Sequence, residues 1–154
     1  MRRRIVFCVC ALCAALCFPT HAASPRGIPL TQGEERLLSA VVDGVAGTCR
    51  GLPFAGRVAI CAVVLRRYDS GRYGSTLAHV IAGTGLFPCC DLSRLSVPAT
   101  DSPSFQAVLA AENGADPSGG AWHIRLPSDT SHPALPGTAL FSCGGITFYG
   151  GTEE

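Results

Sequence analysis

Gly56-Arg57-Val58-Ala59-Ile60-Cys61-Ala62-Val63-Val64-Leu65-Arg66-Arg67 is the stretch on which the fold turns. From Val58 to Leu65 it carries no charge, so no face is left for solvent. A segment apolar nearly all round belongs at the centre of a domain, and Phe54 to Tyr68 is therefore expected to be a central buried helix. The basic pair Arg66-Arg67 falls in its last turn, where positive charge suits the carbonyl end of the helix dipole.

Ahead of this segment, Thr31 followed by Glu34 has the form of a capping box, in which hydroxyl and carboxylate satisfy free backbone donors at a helix start. Leu37, Leu38, Val41, Val42 and Val45 then recur at helical spacing and mark one face as core, with Gly44 and Gly47 weakening the helix after it. Residues 23–30, with Pro25, Gly27 and Pro29, read as a flexible lead-in.

Beyond the central segment, Tyr73 to Ala82 is expected to form a shorter helix ended by Gly83 and Gly85, and Leu86 to Thr100 an irregular stretch. Ser102-Pro103 is a cap followed by a proline at the first helical position, and Asn113-Gly114 is the matching stop. Between them lie Phe105, Val108, Leu109 and Glu112. Ala121 to Leu126 and Ile146 to Tyr149 are short and rich in aromatic or β-branched residues, separated by a loop of Pro, Ser, Thr and Gly, and are expected to pair. The fold class is α+β: a mainly helical single domain over residues 31–150 with a small C-terminal antiparallel β element, and a tail at 151–154.

Arg2-Arg3-Arg4, the apolar run Ile5 to Phe18, and small residues Thr20 and Ala22 before Ala23 have the order of a secretory signal peptide over residues 1–22. The run is too short for a stable membrane span, and the expected product is a secreted protein with no membrane association after cleavage. About 130 residues then remain, the size of one compact domain. The chain has no lysine and a formal net charge of +1, and outside the leader only Arg66 and Arg67 are adjacent arginines. Nucleic acid is thereby excluded as a partner, because phosphate binding needs clustered positive charge.

Cys49, Cys61, Cys89, Cys90 and Cys143 follow the leader. Export permits disulfides, but spacing does not reveal their pairing. Adjacent Cys89-Cys90 lacks zinc spacing, and His79, His123 and His132 show no ligand pattern, so neither metal nor cofactor is expected.

The order of these patterns resembles the bacterial cell wall hydrolase family of the SleB type, named for spore-cortex-lytic enzymes. Gly56 to Arg67 is similar to the family's Gly-Gln-Val-Ala-Val-Ala-Ala-Val-Val-Leu-Asn-Arg helix. Arg72-Tyr73-Gly74-Ser75-Thr76, Val80-Ile81 and Gly85-Leu86-Phe87 follow in family order. Asn113-Gly114-Ala115-Asp116-Pro117-Ser118-Gly119-Gly120-Ala121 resembles the family's Asn-Gly-x-Asp-Pro-Thr-Gly-Gly-Ala, and Ile146-Thr147-Phe148-Tyr149 its closing strand. The resemblance implies a lysozyme-like fold directed at the glycan strands of peptidoglycan, cleaved by lytic transglycosylation with one glutamate as acid and base. Such a carboxyl protonates the glycosidic oxygen and then takes a proton from the attacking sugar hydroxyl. Because the substrate supplies that nucleophile, a second carboxylate is not required.

Counting forward from Leu37-Leu38 puts the family glutamate's place at Val45; counting back from Pro53 and Gly56 puts it at Thr48. Neither is acidic, and the three-residue difference points to an insertion around Thr48-Cys49-Arg50. The second glutamate of the family turn corresponds to Leu52, and an asparagine of the helix to Arg66. The pattern suggests a scaffold kept and a chemistry lost: by resemblance a peptidoglycan-directed cell wall hydrolase, expected to be weak or inactive, a pseudoenzyme, for want of the family glutamate, the alternative role being a non-catalytic secreted module that binds peptidoglycan or a partner protein.

Candidate cleft residues are Thr48, Arg50, Arg66, Phe87, Trp122 and His123. For Trp122 and His123 with Phe148-Tyr149, packing of the β element is the simpler role, and a platform for a sugar ring the sharper one. Among other carboxylates, Asp43 reads as a solvated helix residue, Glu112 as a surface charge and Asp116 as a cap of its own turn. No Gly-x-Ser-x-Gly elbow supports a serine triad.

Overall fold

The computed structural model describes residues 28–49, 51–83, 86–87, 92–129 and 137–151. The leader at 1–22, most of the lead-in, Arg50, Cys89, Cys90, His132 and the last three residues lie outside the described residues. Along the chain the elements are α1 (Gln32–Thr48), α2 (Phe54–Ser70), α3 (Leu77–Gly83), a 3-10 turn (Leu92–Arg94), α4 (Pro103–Glu112), β1 (His123–Arg125), β2 (Ala139–Cys143) and β3 (Ile146–Tyr149).

The central helix is α2. Its Val58 to Leu65 run is buried without interruption, and it packs against α1, α3, α4 and the sheet. It ends at Gly71, whose φ of 67° is the left-handed conformation that glycine adopts without a Cβ clash. The Thr31 capping box opens α1: Thr31 N–H donates to Glu34 at 2.9 Å, and Glu34 N–H donates to the Thr31 hydroxyl at 3.3 Å. Gly44 and Gly47 do not end α1, which runs on to Thr48. Each glycine costs about 1 kcal/mol relative to alanine, and burial of Val41, Val42 and Val45 along the same helix outweighs that.

Leu30 belongs to the core rather than to a flexible lead-in: it is buried, and its N–H donates to Glu112 at 2.8 Å. Glu112 is accordingly no plain surface charge; it fastens the chain ahead of α1 to the end of α4. The short helix starts at Leu77, four residues later than Tyr73, because the Thr76 hydroxyl accepts from His79 N–H and begins the helix there. At α4 the Ser102 hydroxyl accepts from Phe105 N–H at 3.1 Å, as the Ser-Pro signal predicts.

The two expected strands pair antiparallel, with Ile124 opposite Phe148. Between them the chain adds β2, which pairs with the other side of β3 to give the order β1-β3-β2. Gly144 and Gly145, both at positive φ, form the two-residue turn from β2 into β3. Ile124, Ile146 and Phe148 point into the core. Among the described residues no helix is long and apolar enough to cross a membrane.

Candidate active site and the turn between the first two helices

The places where the sequence positions a family acid lie in the last turn of α1. Val45 is fully buried and contributes to the core. Thr48 is exposed, and its hydroxyl donates to the Gly44 carbonyl at 3.2 Å. Cys49 follows, buried, its N–H bonded to the Val45 carbonyl. Leu52 turns inward against α2: a Cβ at Gly56 would stand 2.5 Å from Leu52 Cδ1, so glycine there lets the turn close onto the helix. Residues 44–56 contain no carboxylate.

The far end of α2 builds a second cluster. Arg66 pairs with Asp116, donates to the Ala121 carbonyl, and places its guanidinium 5.8 Å from the centroid of Trp122. Asp116 also accepts from the backbone N–H groups of Ser118 at 3.0 Å and Gly120 at 3.1 Å, so it caps its own turn as expected and is joined to α2 besides. Arg67, only 4% exposed, donates to the Trp122 carbonyl at 2.7 Å and to His123 Nδ1 at 3.0 Å, and its guanidinium covers Tyr73 at 4.5 Å. Tyr73 in turn stacks with Trp122 at 6.4 Å.

A guanidinium only donates, so His123 Nδ1 accepts and its proton sits on Nε2. Burial, reinforced by the Arg67 charge, holds the imidazole below its ordinary pKa.

The candidates thus fall into two groups. Arg66, Trp122 and His123 come together; Thr48 ends α1, ahead of the opposite end of α2, whose first residue, Phe54, is about 18 Å from Arg66 along a helix rising 1.5 Å per residue. Phe87 is buried in the core, and Arg50 lies outside the described residues.

The sequence reading missed Arg67, whose burial is remarkable only once the carbonyl and ring facing it are known. It also missed Ser104, a buried hydroxyl in α4 that donates to Asp43 at 2.7 Å. Neither has a spacing signal, since each partner is distant in sequence.

Among the described residues no group of three or more potential ligands could hold a metal. No two of Cys49, Cys61 and Cys143 are joined. Burial pushes the Cys61 thiol far above its ordinary pKa, and it raises Cys143, against an opposing hydrogen bond from Gly56 N–H.

The family model described as Cell Wall Hydrolase matches residues 51–149. The spore cortex-lytic enzyme of Oceanobacillus iheyensis is 34% identical over 87 residues, which are 56% of this chain and 31% of that protein. That of Bacillus subtilis is 34% identical over 97 residues, 63% of this chain and 32% of that protein. The chain spans about a third of the length of the curated relatives it matches.

Among solved structures, the catalytic domain of the Bacillus cereus SleB protein superposes with a TM-score of 0.65 at 27% identity, covering 82% of this chain and 94% of that one. The catalytic domain of the germination-specific lytic transglycosylase SleB from Bacillus anthracis gives 0.63 at 26% identity, covering 79% and 99%.

Proposed function

Because the chain belongs to the Cell Wall Hydrolase family, we propose that it engages peptidoglycan glycan strands while lacking the carboxyl group that would cut them. The observation that carries this reading is the α1–α2 turn, in which Val45 is buried, Thr48 is exposed and no carboxylate occurs from Gly44 to Gly56. A valine or threonine cannot lend a proton to a glycosidic oxygen and recover it. Absence of a positioned general acid lowers the rate by about two to four orders of magnitude. Of the two places, Thr48 is the one from which a side chain reaches solvent and therefore substrate.

The rest of the scaffold supports binding. The Arg66 and Arg67 contacts keep the Asp116-to-Ala121 turn fixed against α2, and a fixed turn can contact an extended glycan without first being ordered. The leader at residues 1–22 would deliver the protein beyond the membrane, where such strands lie. A secreted, non-catalytic binding module follows from these points.

Purified peptidoglycan sacculi test the reading in two measurements. The protein should pellet with sacculi, and the suspension should keep its turbidity. Clearing at a rate typical of lytic enzymes would show that a different acid serves; failure to pellet would remove peptidoglycan as the ligand.

A further inference from the structure

Beside the α1–α2 turn, a polar cluster joins three helices. Arg57, in the first turn of α2, donates through Nη1 to the Ser104 hydroxyl at 2.5 Å, and that hydroxyl donates to Asp43 Oδ1 at 2.7 Å. The same Arg57 nitrogen lies 3.5 Å from Asp43 Oδ1. Ser104 is fully buried in α4 and so holds both charged groups in place.

The carboxylate it holds is open to water and the guanidinium reaches water in part: the Asp43 side chain is 51% exposed and that of Arg57 18%. Both bonds converge on Oδ1; among the described residues Oδ2 accepts none, and Arg57 Nε and Nη2 donate to none. A fixed acceptor and fixed donors are left side by side. Phe54 precedes Arg57 by three residues and so adjoins it on the surface of α2. Phe54 is 49% exposed, and its ring contacts no other ring or cation among the described residues.

An N-acetylated sugar uses all three groups as they stand. Its hydroxyls donate to a carboxylate, its acetamido carbonyl accepts from a guanidinium, and its C–H face covers an aromatic ring. We propose that Asp43, Arg57 and Phe54 form a glycan-contact surface oriented by Ser104. The proposal rests on the peptidoglycan reading above and names the side chains that make the contact.

Binding isotherms with purified sacculi, taken with a thermal melt for every variant, test it. Phe54→Ser, at an exposed helix start, should weaken binding about tenfold with the melt unchanged; Asp43→Asn, which keeps an Oδ1 acceptor for Ser104 and removes the charge, should weaken binding about tenfold while the variant still melts cooperatively. Wild-type pelleting with both variants bound equally well overturns the contact surface and leaves the peptidoglycan reading standing. Titration with chitotetraose followed by amide NMR is independent of sacculi: shifts centred on residues 43, 54 and 57 support the surface. Shifts confined elsewhere, or none, overturn it whatever the sacculi show.

Discussion

Val45 and Thr48 are three residues apart on α1, yet one is sealed in the core and the other is in solvent. That contrast makes glutamate substitutions informative about which place the family acid would occupy. Val45→Glu buries a carboxyl without a partner and should cost about 3 kcal/mol or more, read by urea unfolding. Thr48→Glu should cost less than about 1 kcal/mol, the small penalty arising because a negative charge opposes the carbonyl end of the helix. Equal destabilisation by the two would contradict the burial described.

His123 gives a prediction in pH. Its folded pKa lies below the ordinary value of 6.5, through burial first and the Arg67 charge second. The unfolded chain therefore takes up the proton at higher pH than the folded one. The stability linked to the neutral ring is full above the unfolded value and is lost as pH falls through the folded one. Melting temperature should drop between about pH 7.5 and about pH 5. His123→Asn, which keeps an acceptor for Arg67 without titrating, should flatten that drop; an unchanged slope would show that other groups produce it.

At the scale of elements, the helices with local signals were legible in the sequence. The Thr31-Glu34 box, the uncharged run of α2 and the Ser102-Pro103 start are written in neighbouring residues and are found in place. Ser102→Ala should cost about 1 kcal/mol of unfolding free energy, removing the bond to Phe105 N–H.

What was not legible depended on residues far along the chain. Leu30 is ordered by Glu112, 82 positions later, so a Pro- and Gly-rich lead-in gave no sign that it joins the core. β2, largely exposed and with an irregular register against β3, lacks a clean alternation; the Gly144-Gly145 turn was its one readable mark. The Arg66–Asp116 pair likewise spans 50 positions. Its coupling should appear in a double-mutant cycle of Arg66→Ala and Asp116→Ala as about 1 kcal/mol or more. Additive losses would mean that the two side chains hold the turn independently, Arg66 through the Ala121 carbonyl and Asp116 through the backbone of its own turn.

On the scale of the whole molecule, a mainly helical α+β domain superposes on nearly the full length of the SleB catalytic domains, while the family acid's place was readable only as a pair of alternatives. The fold was legible because its core is patterned in short-range periodicity, whereas the site depends on how one turn between α1 and α2 closes. Counts taken from the two sides of that turn disagree by three residues, and only the burial of Val45 against the exposure of Thr48 separates the two. The polar surface of Asp43, Arg57 and Phe54 lies at this same end of α2.

Release of soluble glycan fragments from purified sacculi by wild type and by Thr48→Glu, measured side by side, bears most directly on the proposal that the scaffold is retained without its acid. The prediction is no release above background by wild type and detectable release by Thr48→Glu. Release by wild type at a rate equal to or above that of Thr48→Glu would contradict it.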